Sequence, residues 1–114
     1  MDWIDFMAKT EANIATFSKE VPQTVKGFAQ MGQAAKSEGV LAEKTKEFIA
    51  LGIAVATRCD SCIGFHVRSL VRLGATREEL CEAWAMATYM GGGPSYAYSA
   101  KALEAYDVFS DGGA

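Results

Sequence analysis

The chain of 114 residues is short of several things, and each shortage excludes something. It has two prolines, Pro22 and Pro94, and no run of alternating β-branched residues, so the usual signature of strands is missing. Cysteine occurs three times, an odd and sparse count that does not suit a disulfide-stapled scaffold. The 11 basic and 14 acidic residues form no basic cluster, and the net charge is −3, so nucleic acid is not an expected partner. The opening MDWIDFMAKTEANI has acids at Asp2 and Asp5 and no basic stretch leading into an apolar core, so it does not read as a signal peptide. The longest uncharged run, Ala83 to Ala100, contains GGGP, two serines and three tyrosines, which makes a poor membrane span. The expectation is a soluble, cytoplasmic protein with one domain over residues 1–114.

What the chain does have is helical spacing. Trp3, Met7, Ile14, Phe17 and Val21 fall on one face of a first helix. Pro22 suits the first turn of a second, which Val25, Phe28, Gly32 and Ala35 continue, and Gly39 marks a stop. A third helix is predicted over about 42–57. Its first turn holds Glu43, Lys44, Lys46 and Glu47, and Phe48 to Thr57 carry no charge. A helix apolar all round is expected to be buried, here with the help of neighbouring subunits. A fourth helix starts near Cys59 and ends before Gly74. Thr76-Arg77-Glu78-Glu79 reads as a capping box that opens a fifth helix, to about Met90. Gly91-Gly92-Gly93-Pro94 breaks the chain before a sixth. That glycine run lacks the Lys-Ser/Thr and preceding strand of a phosphate loop. Ser110 to Ala114 is expected to fray. The fold class is therefore all-α, a bundle of about six helices.

The chemistry-bearing residues crowd into TRCDSCIGFH, residues 57–66. Cys59 and Cys62 form a C-x-x-C, and His66, the single histidine, lies one helical turn beyond Cys62. If the fourth helix starts at Cys59 or Asp60, Cys62 sits in its first turn, where free N–H groups favour a thiolate. Three readings remain open. Zinc could take Cys59, Cys62 and His66, with Glu47 or Cys81 as a fourth ligand, although no second paired motif exists. A dithiol–disulfide couple could use one thiol to attack and the other to resolve, with His66 moving the proton. Or the cysteines could simply be small core residues. Haem attachment fails because Ile63, not histidine, follows the second cysteine. Cys81, alone three residues before Trp84, reads as a buried thiol. Glu47 borders the apolar stretch, and if buried it could hold or pass a proton.

EKTKEFIALGIAVATRCDSCIGFH, with a glutamate twelve residues before the first cysteine and then C-x-x-C-x-x-x-H, resembles the core of the alkylhydroperoxidase D-like, carboxymuconolactone decarboxylase superfamily. LGATREEL and MGGGPSYAYSAKALEAYDVF resemble its following helices, so the likeness covers about 40–109, with N-terminal helices over 1–39. The resemblance implies an all-α homo-oligomer, trimeric or hexameric. It implies a peroxidase in which Cys62 attacks a small hydroperoxide, Cys59 resolves, and Glu47 with His66 relays protons. No metal or organic cofactor is implied. The disulfide would be reduced by a thiol protein or a lipoyl carrier. Where the best-known peroxidases carry a further histidine before the second cysteine, this chain has Ser61, whose hydroxyl hydrogen-bonds but takes no proton at neutral pH. The decarboxylase branch of the family implies a small anionic lactone, with Arg58, Arg68 and Arg72 as candidate carboxylate holders.

Overall fold

In the computed structural model, which describes residues 1–113, α1 runs over Trp3–Glu20. Asp2 caps it, with Oδ1 accepting the Asp5 amide at 3.0 Å. Pro22 starts α2 (Pro22–Lys36), where its preset φ helps and its missing N–H costs nothing. Then follow α3 (Glu43–Ala56), α4 (Asp60–Arg72), α5 (Arg77–Gly91), α6 (Gly93–Val108) and a π-type turn over Phe109–Gly113. No strand occurs among the described residues, and the all-α expectation holds.

The capping box is formed in both directions. Thr76 Oγ1 accepts the Glu79 amide at 3.1 Å, and a Glu79 carboxylate oxygen accepts the Thr76 amide at 2.9 Å. The predicted glycine break is a single residue: Gly92, at φ 74° and ψ −154°, a conformation that only glycine adopts without strain. The expected fraying is not what 110–113 show, because the π-type turn continues there and Phe109 is buried; Ala114 lies outside the described residues.

The helices α5 and α6 pack most extensively on each other, then α3 and α4, and α4 also meets α6 and the start of α1. Leu51, Val55, Ile63, Val67, Leu70 and Leu80 fill the space between them. Trp3 and Met7 belong to this core. The Trp3 indole N–H donates to Glu104 of α6 at 2.9 Å, and its ring meets Phe6 and Phe109 edge to face. Met7 occupies the place a Cβ on Gly64 would need, so glycine is what lets α1 lie against α4.

Beyond Met7 the first two helices leave the body as an arm. None of residues 8–41 is buried, and Phe17, Phe28 and Met31 are well exposed. The radius of gyration, 14.3 Å, exceeds the value of about 13 Å for a compact chain of this length, as a projecting arm requires. The third helix, uncharged beyond Glu47, is only partly covered within one chain. Leu51, Ala54 and Val55 are buried, but Ile49 and Ile53 are 52% and 59% exposed. Within one chain, α3 is covered by its own neighbours on one side only. Its outer side joins Met86 and Met90 of α5 in an open apolar groove of about 530 Å³.

Candidate functional site

The site is built where α3 ends and α4 begins. The connection is short, Thr57 to Cys59, and it turns the chain by placing Arg58 at φ 56°. That left-handed conformation is uncommon outside glycine and costs about 1–2 kcal/mol. It is held by the Arg58 amide donating to Val55 and the Cys59 amide to Ala54, at 3.1 and 3.0 Å. The result delivers Cys59 as the cap of α4, in extended conformation. Its sulfur does what a serine or aspartate oxygen usually does at this position and accepts the Cys62 amide at 3.3 Å.

This geometry corrects one step of the sequence argument. The first-turn N–H was expected to favour a thiolate on Cys62, but the sulfur it reaches is that of Cys59. Burial pushes the Cys59 thiol up, yet donors outweigh it: the Cys62 thiol, the Ser61 hydroxyl at 3.5 Å and the Cys62 amide. The net shift is downward, although the Asp60 charge opposes it. Cys62 is pushed up to about 11, first by burial and then by the hydrogen bond and charge of Cys59. Of the two thiols, Cys59 is therefore the more acidic and Cys62 the less acidic. Ser61, in place of a further histidine, serves as a hydrogen-bond partner of Cys59.

Glu47 is not an exposed helix-start residue. It is 2% exposed, and its carboxylate lies 2.6 Å from Nδ1 of His66 across the α3–α4 contact. With Glu47 as the acceptor, Nδ1 carries the proton and Nε2 is left as the atom that can take one. Four of the sequence-named residues thus converge in two pairs: Cys59 with Cys62, and Glu47 with His66, one helical turn further along α4.

The zinc reading finds no ligand set. Among the described residues no three His, Cys, Asp or Glu side chains gather on a metal-sized point. Glu47 is engaged by His66. Cys81 is only half-buried, and it lines a separate groove with Trp84 and Ser99.

Two features were missed at the level of sequence. First, a cavity of about 420 Å³ beside His66 is lined by Lys36, Phe65, Arg68, Ser69 and Arg72. Cations scattered along the sequence meet there. Arg68 is shared with Glu11 at 3.0 Å and Arg72 with Glu43 at 3.5 Å. Arg58 is not among the lining residues. The i, i+4 spacing of Arg68 and Arg72 was readable, but the approach of Lys36 from α2 was not. Second, Asp60 pairs with Lys101 of α6 at 2.9 Å. No local signal marks a contact between residues so far apart in the chain. No helix among the described residues is long and apolar enough to cross a membrane.

The model of the carboxymuconolactone decarboxylase family matches residues 22–105. An uncharacterised protein of Cupriavidus necator is 39% identical over 89 residues, 78% of this chain and 79% of its own. The crystal structure of an apo carboxymuconolactone decarboxylase family protein from Legionella pneumophila superposes with a TM-score of 0.91 at 50% identity, covering 96% of this chain and 99% of that one. A family protein of Thermotoga maritima, for which an involvement in antioxidative response has been suggested, gives 0.81 at 25% identity, over 95% and 96%.

Proposed function

We propose that this chain, which belongs to the carboxymuconolactone decarboxylase family, is a dithiol peroxidase that reduces small organic hydroperoxides. The observation that carries this reading is the pairing at the start of α4: a cysteine sulfur that accepts the amide of a second cysteine, and one turn on a histidine held by a buried carboxylate. The antioxidative involvement suggested for the Thermotoga maritima relative points the same way.

Cys62 is the proposed nucleophile. His66 Nε2 takes its proton, and the sulfur attacks the outer peroxide oxygen. The O–O bond breaks, the alkoxide takes the proton back from His66, and Cys62 is left as a sulfenic acid. The Cys59 thiolate then attacks the Cys62 sulfur. The S–O bond breaks, hydroxide leaves and gains a proton from solvent as water, and the Cys59–Cys62 disulfide forms. Two electrons pass from the two sulfurs to the peroxide. A second dithiol, on a thiol protein or a lipoyl carrier, returns them. Such a cycle suits a reducing compartment such as the cytoplasm. Apolar surface left open on α3, α5 and the arm supports a homo-oligomer, trimeric or hexameric.

A direct test is site-resolved mass spectrometry of the thiols before and after one equivalent of cumene hydroperoxide under anaerobic conditions. Cys59 and Cys62 should disappear together into one disulfide while Cys81 stays reduced. Cys62→Ser should lose peroxide turnover, and Cys59→Ser should trap a sulfenic acid on Cys62. A sulfenic acid trapped on Cys59 in the Cys62→Ser variant would reverse the two roles. Full turnover by Cys62→Ser would end the peroxidase reading. Glu47→Gln removes the anion behind His66, and we expect a loss of about a hundredfold in the oxidation rate, read by stopped flow.

One observation favours a second reading, decarboxylation of a small anionic lactone. The cavity beside His66 is walled by Lys36, Arg68 and Arg72, which suits a carboxylate. Lactone turnover that survives replacement of both cysteines would select it.

A further inference from the structure

Asp60 stands between the two cysteines in sequence and in the first turn of α4. Its position is ambivalent. The helix N-terminus is a favourable place for a carboxylate. A negative charge next to Cys59 disfavours a second negative charge on that sulfur. The structure offsets this from outside the motif. Lys101, just past the middle of α6, donates from Nζ to Asp60 Oδ2 at 2.9 Å. Both side chains are about two-thirds covered, so the pair is only partly screened by water. Lys101 is also fixed from the other side, its ammonium 5.4 Å from the centre of the Tyr98 ring. The second carboxylate oxygen, Oδ1, is buried and has no partner among the described residues. Without Lys101, neither oxygen of Asp60 would be paired among them.

We propose that Lys101 is a positioning residue for the dithiol: as the counter-ion of Asp60 it keeps that carboxylate from suppressing the thiolate on Cys59, so α6 sets the reactivity of a motif that lies on α4. The inference rests on the dithiol reading above, but its test needs no peroxide. The rate of iodoacetamide alkylation at Cys59 is followed against pH in the full chain, with fragmentation distinguishing Cys59 from Cys62.

Lys101→Met should slow alkylation of Cys59 at pH 7 by roughly threefold and move its midpoint to higher pH, the size expected for a partly exposed charge. Lys101→Arg should keep the wild-type profile. Asp60→Asn should speed the reaction. The neutral pair, Asp60→Asn with Lys101→Met, should return close to wild type, because both charges are gone together. That restoration separates charge from packing. A Lys101→Met profile identical to wild type would overturn the proposal. So would a double variant as slow as Lys101→Met alone, since Lys101 would then act only through its bulk. If Cys59 follows the expected pattern in a protein that fails to turn over peroxide, the proposal stands and the peroxidase reading falls.

Discussion

Two regions of this chain carry the same kind of sequence and have different fates. In α4, apolar residues at helical spacing (Ile63, Val67, Leu70) are fully buried. In the arm, Ile14, Phe17, Phe28 and Met31 follow a comparable period and face solvent. Periodicity states which face of a helix wants cover; it does not state which neighbour supplies it. For α4 the neighbours are in the same chain. Along the arm the described residues bury none of these side chains, and the groove between Phe28, Gly32 and the loop before α3 stays open.

That contrast can be broken at three places. The largest effect belongs to the body: Leu51→Ala should cost about 2–5 kcal/mol, because removing a fully buried side chain leaves a cavity in the core. Urea unfolding at low protein concentration measures it. Next comes the joint between the regions. Gly64→Ala would drive a methyl group into Met7, and we expect a loss of about 1–3 kcal/mol together with a change in the near-ultraviolet signal of Trp3, which lies one turn from Met7. The smallest effect belongs to the arm. Phe28→Ala should change the stability of the dilute chain by no more than about 0.5 kcal/mol, as for other exposed positions. A loss above about 2 kcal/mol would mean that the arm is covered in solution, and the contrast would then be between chains rather than between regions.

Much of this was legible in the residues themselves. Pro22, the Thr76–Glu79 box and the glycine break announce helix ends through local chemistry, and each lies where that chemistry predicts. The C-x-x-C-x-x-x-H spacing put His66 on the face of Cys62 because one turn of helix is a local fact. Glu47 was readable as a candidate but not as a partner, since its hydrogen bond to His66 depends on how α3 packs on α4. Which sulfur accepts the first-turn amide was misread for a similar reason. It turns on whether Cys59 lies inside the helix or caps it, a difference of one residue, set by the unusual backbone of Arg58. Lys36 at the cavity and Lys101 at Asp60 come from other helices altogether, and nothing near either lysine in the sequence points across that gap.

The scarcity of histidine has a use of its own. Because the chain contains a single imidazole, its proton magnetic resonance spectrum holds one pair of imidazole C–H signals, and those signals come from the centre of the site. Their movement during a pH titration follows the protonation of the Glu47–His66 pair without isotopic labelling or assignment. The same two lines, observed before and after the cysteines are oxidised, tell whether the imidazole senses the state of the sulfurs one turn away.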